Sequence, residues 1–127
     1  MNKQESIFEL HADHQEWMNK LDFYKDDIKI LTHRLEEIVT KNTDKEILAE
    51  VEKFQNQFIV QNDNIDRIKH IINLDEDKLK AEVNRNPVAV DHRKMGNHDE
   101  ERDLIDTFEK NFKDLRTNFN TFSAKWM

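Results

Sequence analysis

Apolar residues recur at three- and four-residue intervals along almost the whole chain, which is the spacing of a buried helical face. The first stripe comprises Ile7, Leu10, Trp17, Leu21, Tyr24, Ile28, Leu31, Leu35 and Ile38. The second comprises Ile47, Val51, Phe54, Phe58, Ile65, Ile68, Ile72 and Leu79, and the third Ile105, Phe108, Phe112, Leu115, Phe119, Phe122 and Trp126. The pattern is coiled-coil-like and predicts three long helices.

Capping residues give the expected helix boundaries. Ser6 with Glu9, and Thr43 with Glu46, have the form of capping boxes, in which each side chain takes a backbone N–H at the helix start. Asn97 provides a third cap. These signals predict helices over about 7–40, 44–83 and 98–126.

The connections between the helices predict an elongated up-down-up three-helix bundle that forms a single domain over residues 1–127. A short first connection makes the first two helices antiparallel. The second connection, 84–97, contains the only proline, Pro87, and the only glycine, Gly96, and we expect it to be irregular.

The position of the third helix is left open by the length of the second connection. A tight first turn places His14 opposite about His70. The long connection would allow the third helix to slide roughly 20 Å along the hairpin. If it slides, it covers the hairpin tip and its start comes level with His14.

If the third helix does not slide, the hairpin tip is an uncovered apolar patch, and two chains would pair there. Because long, thin helices build a small core, we expect the second outcome and predict a homodimer. The predicted interface consists of Leu31, Leu35, Ile38, Val39, Ile47, Leu48 and Val51.

Composition narrows the range of partners and locations. The chain is acidic, with a formal charge of −7, which disfavours nucleic acid as a partner. It contains no cysteine, which removes disulfides and thiolate metal sites. Its apolar runs are too short for a membrane span or a signal-peptide core. We therefore expect a soluble, cytoplasmic protein that binds neither nucleic acid nor membrane.

Polar side chains interrupt the apolar stripes at a few positions, and these are the positions at which we expect functional residues. These positions are His14, Gln61, Asp75, His98 and Glu101. All but Gln61 belong to one end of the bundle, where the first helix begins, the second ends and the third begins.

Imidazole and carboxylate groups that converge from three helices are the composition that binds Zn, Fe or Mn. A metal at this end would be held by His14, His98 and Glu101, with His11 or His92 completing the set. The alternative is that these groups are packed, hydrogen-bonded side chains at a half-solvated helix end. A metal requires His14 and His98 within about 5 Å of each other.

No catalytic constellation or cofactor fingerprint is present, and thin bundles offer few clefts, so an enzyme is the least supported class. The sequence predicts a non-enzymatic interaction or scaffold protein that acts through protein contacts and self-association and holds no cofactor. The alternative is a bundle that binds a Zn, Fe or Mn ion, or senses metal or pH, with its site at the polar end.

Overall fold

The computed structural model describes the backbone of residues 3–85 and 92–127 and the side chains of 8–82, 84 and 98–127. Within these ranges the chain forms three helices and no strands: α1 (Lys3–Lys41), α2 (Lys45–Arg85) and α3 (His92–Trp126). Each helix packs against the other two. The predicted three-helix bundle is confirmed. None of the described helices combines the length and apolar character that a membrane span requires.

The helices are longer than their capping residues predict. α1 runs through Ser6 from Lys3, so the first predicted cap lies inside the helix. The cap of α2 is Asp44, whose Oδ1 accepts a hydrogen bond of 2.7 Å from the backbone N–H of Glu46. α3 begins at His92, so residues 92–97 are helical and do not belong to an irregular connection. Once a helix has formed, each added residue costs little free energy, so a helix can extend past the residues that its capping signal marks as the end.

The register between α1 and α2 differs from the expected one. Lys25 contacts Asp66 at 2.5 Å, and His14 lies beside Glu76 at 3.3 Å. Because Glu76 lies beside His14, the predicted position of about His70 opposite His14 is wrong. Residues 42–44 form the non-helical turn between α1 and α2.

α3 reaches the hairpin tip. The Asn42 side chain, in the turn between α1 and α2, donates a hydrogen bond of 3.1 Å to the carbonyl of Trp126 at the end of α3. Most of the tip residues are consequently inside the bundle: Leu31, Leu35, Ile38, Ile47 and Val51 are buried, Leu48 is half-buried and Val39 is 45% exposed. The expectation of an uncovered tip is wrong, because α3 slides along the hairpin, and the predicted homodimer interface is not available there.

The apolar core runs from the tip toward the opposite end of the bundle. Aromatic side chains from α2 and α3 fill its middle, with Phe112 and Phe119 fully buried. The core cluster ends at Trp17 on α1. Beyond Trp17 lies a buried polar layer of His14, Asp75, His98 and Glu101, and Leu10 and Leu79 are buried one turn further along α1 and α2.

Candidate metal centre

The polar layer is built from all three helices. His14 on α1 occupies the same heptad row as Leu21, and His98 on α3 the same row as Ile105. Because residues seven apart lie on nearly the same face of a helix, the apolar rows that bury Leu21 and Ile105 also turn both imidazoles inward. Glu101 follows His98 one turn later on α3 and faces the same interior.

Three of these side chains come close enough to share one ion. His14, His98 and Glu101 each offer a ligand atom, and these atoms all lie within 4.8 Å of one another. The residues are 2%, 2% and 4% exposed, respectively. The requirement that His14 and His98 lie within about 5 Å of each other is met.

His14 lies between carboxylates on both sides of its ring. Its Nε2 is 3.0 Å from Glu101 Oε2 and 3.7 Å from Asp75 Oδ2. Its Nδ1 is 3.3 Å from Glu76 Oε1. Glu76 in turn contacts Nδ1 of the half-exposed His11 at 2.7 Å. A continuous hydrogen-bonded path thus connects the buried ring to the surface.

His98 has one paired and one unpaired ring nitrogen. Its Nε2 donates to Asp13 Oδ2 at 2.8 Å, and the same oxygen accepts a bond of 3.0 Å from Arg102. Its Nδ1 is buried and has no hydrogen-bond partner in the described part of the chain. Trp17 stacks on the His98 ring, with the ring centres 4.7 Å apart.

The charges of the cluster favour a cation. Its carboxylates are Asp13, Asp75, Glu76 and Glu101. Burial opposes the charged form of His14, but Glu101 and Glu76 outweigh it, so the pKa of His14 is raised. Burial lowers the pKa of His98 despite Asp13. Burial, with a hydrogen bond to Asp75, raises the pKa of Glu101. The carboxylates therefore favour a positive charge at His14, which is either a proton or a bound cation that displaces it.

The five predicted ligands do not all lie at one centre. The structure brings His14, His98 and Glu101 together. It places His11 one layer outward, on Glu76 instead of at the centre. The side chain of His92 lies outside the described residues.

Sequence reasoning did not assign three carboxylates that the structure places in this cluster. Asp75 interrupts the α2 stripe, so the sequence analysis placed it at this end of the bundle but did not include it among the metal ligands. Asp13 and Glu76 are adjacent to stripe positions, so their contacts depend on the register between helices and carry no pattern of their own.

Two surface grooves lead toward the buried centre. The groove between α1 and α2 reaches His14 and Glu76 beside the half-exposed His11. The groove between α2 and α3 reaches Asp75 and Glu101. Both grooves offer an approach for a small ion.

Comparison of the chain with protein-family models, with curated proteins and with solved structures finds no match. The interpretation of this site therefore depends on its geometry and chemistry.

Proposed function

We propose that the protein is a metal-binding helical bundle that holds one divalent transition-metal ion between His14, His98 and Glu101. The observation that carries the proposal is the convergence of three buried ligand atoms, from α1 and α3, within 4.8 Å of one another. An ion at about 2.0 to 2.2 Å from each ligand would hold the ligand atoms at most about 4.4 Å apart, so side-chain movements of less than about 1 Å would complete the site.

The donor set indicates the kind of ion. Two imidazole nitrogens and a carboxylate oxygen suit Zn, Fe or Mn, and the chain has no cysteine to select softer metals. Asp75 Oδ2 lies 3.7 Å from His14 Nε2, beside the three proposed ligands but outside the group whose atoms lie within 4.8 Å of one another. A divalent cation would also offset the negative charge of the cluster.

The unpaired nitrogen of His98 favours a ligand site over a purely structural network. A buried polar atom without a partner costs about 1–3 kcal/mol. Arg116 Nε is also buried without a partner, but no potential metal ligands are grouped around it in the described part of the chain. An ion satisfies His98 Nδ1 and uses the adjacent carboxylate of Glu101.

The burial of the ligands supports a structural or sensory ion. A catalytic metal keeps a coordination position open to substrate, whereas structural sites are closed by protein ligands. His14, His98 and Glu101 are each less than 5% exposed. The site accordingly favours binding of the ion itself over chemistry on a bound substrate.

Native mass spectrometry on protein without a histidine tag, loaded separately with Zn²⁺, Fe²⁺ and Mn²⁺, tests the proposal. We expect one equivalent of at least one ion, and loss of binding in Glu101→Gln and His98→Gln. His33→Gln is the matched control, because His33 is 79% exposed and far from the centre in sequence. Circular dichroism would verify that each variant folds. Occupancy below about a tenth of an equivalent for every ion would refute the proposal.

Interaction with a protein partner is a second candidate, supported by apolar side chains on the outer surface of α1. Phe8, Phe23 and Ile30 are 75%, 62% and 53% exposed. At about 100° per residue they lie within about 60° of one another around the helix. Sedimentation equilibrium of wild type and Phe23→Lys would test whether this face supports self-association; a monomer in both would argue against it.

A further inference from the structure

The hydrogen bonds of His98 indicate which ring nitrogen carries its proton. Nε2 lies 2.8 Å from Asp13 Oδ2, and a carboxylate only accepts, so the hydrogen belongs to Nε2. Nδ1 is buried and faces no acceptor in the described part of the chain. In this tautomer the lone pair is on Nδ1, the nitrogen that remains available for an ion.

Further contacts hold the His98 ring in this orientation. Arg102 donates to the same Asp13 oxygen at 3.0 Å, which fixes the carboxylate that pairs with Nε2. Trp17 packs on the face of the ring at 4.7 Å between centres. The ring is therefore constrained both at its edge and on its face.

His14 presents the opposite nitrogen to the centre. Its Nε2 is 3.0 Å from Glu101, which is itself in the proposed ligand set. Its Nδ1 is 3.3 Å from Glu76, on the side away from Glu101. Glu76 is held by His11, with 2.7 Å and 3.1 Å between His11 Nδ1 and its two oxygens. Glu76 thus acts on His14 as Asp13 acts on His98.

We infer that Asp13 and Glu76 are positioning residues that orient the two imidazoles, so that His98 binds the ion through Nδ1 and His14 binds it through Nε2. The inference rests on the proposed metal site and adds its ring orientations and its outer carboxylates. Carboxylates that accept a hydrogen bond from the far nitrogen of a ligand histidine fix the ring and increase its basicity. Their removal typically weakens metal binding by about 10- to 100-fold.

The first test uses metal-free protein and needs no ion. Long-range ¹H–¹⁵N correlation NMR at neutral pH reports which nitrogen of each neutral imidazole is protonated. We expect His98 to carry hydrogen on Nε2 in the wild type, and this preference to be lost in Asp13→Ala. A wild-type ring protonated on Nδ1 and bare at Nε2 would overturn the inference, whether or not the protein binds metal.

The second test compares dissociation constants for the ion that binds the wild type. We expect Asp13→Ala and Glu76→Ala to weaken binding by about 10- to 100-fold, with one equivalent still bound at saturation. Glu16→Ala and Asp77→Ala are the controls, because they remove exposed carboxylates from the same stretches of α1 and α2 as Asp13 and Glu76. Thermal unfolding would show that the variants remain folded.

The two tests separate the two proposals. If the wild type binds no ion, the proposed function fails, and the NMR measurement still decides the orientation of His98. If the wild type binds an ion but Asp13→Ala and Glu16→Ala bind it equally well, the metal site stands and the positioning role of Asp13 is excluded.

Discussion

Tyr24, Lys20 and Glu109 form a polar cluster between α1 and α3 in which each carboxylate oxygen has a donor. The Tyr24 hydroxyl donates to Glu109 at 2.7 Å, and the Lys20 ammonium donates to its other oxygen at 3.2 Å. At the polar end, by contrast, His98 keeps a buried nitrogen without a partner. Buried polar groups are normally paired, and the described side chains leave two buried nitrogens without a partner, His98 Nδ1 and Arg116 Nε. Of the two, only His98 Nδ1 belongs to a residue in the proposed ligand set.

The Tyr24 hydroxyl is expected to titrate far above its ordinary range. Burial, together with the hydrogen bond and charge of Glu109, raises the pKa of Tyr24 to about 12 from its ordinary value of 10.0. Because the folded-state pKa is raised, the stability that this hydroxyl contributes is fully present below about pH 10 and is lost as the pH rises toward 12.

Ultraviolet absorbance measures this titration directly, since Tyr24 is the only tyrosine in the chain. We expect a midpoint near 12 in the wild type and a lower midpoint in Glu109→Gln, which removes the charge beside the hydroxyl. Asp106→Asn, an exposed change on the same helix, should leave the midpoint where it is. A Tyr24 midpoint near 10 in the folded wild type would contradict the described contacts.

The sequence identified the centre where side chains occupy the helical rows and missed it where they do not. His14, His98 and Glu101 interrupt apolar rows, so periodicity alone placed them inside. Asp13 and Glu76 lie beside those rows. Their contacts depend on how far one helix is displaced along another. The geometry of the connecting loops sets that displacement, and the spacing of apolar residues does not predict it.

At the scale of the helices, α3 shows how little a capping signal constrains a long helix. The sequence predicts its start near residue 98, whereas it begins at His92 and includes Gly96. The chain's only glycine adopts no positive φ. Glycine at an interior helical position costs about 0.5–1 kcal/mol relative to alanine, which the packing of a long helix can offset.

Gly96→Ala is therefore expected to stabilise the protein by about 0.5–1 kcal/mol, because alanine fits a helical backbone and has less freedom to lose on folding. Urea unfolding of metal-free protein would measure the change. If residues 92–97 instead formed an irregular connection that needs a left-handed glycine, alanine would lower the free energy of unfolding. The sign of the effect thus decides between the predicted and observed starts of α3.

At the scale of the whole molecule, the two ends of the bundle are held by different forces. The tip is closed by apolar side chains from all three helices, including the fully buried Ile38. At the opposite end, imidazoles and carboxylates share the interior positions with Leu10 and Leu79. Burial of apolar side chains stabilises the folded state without specific partners, whereas a buried charged layer stabilises it only if its groups are fully paired. The polar end should therefore open first in metal-free protein.

Hydrogen exchange with and without the bound ion tests this asymmetry. An ion that binds only the closed form stabilises it by RT ln(1 + [L]/Kd), about 2.7 kcal/mol at a free concentration of 100 Kd. Openings that release the ion should slow by up to about 100-fold, whereas local fraying that leaves the site intact should not change.

We expect the largest gains in protection at residues 73–80 of α2 and 98–104 of α3, and little change in the amides that fray near Asn42. Glu101→Gln, measured at the same ion concentration, should show none of these gains. Equal gains at both ends would mean that the bundle opens only as a unit, and would contradict a polar end that opens independently.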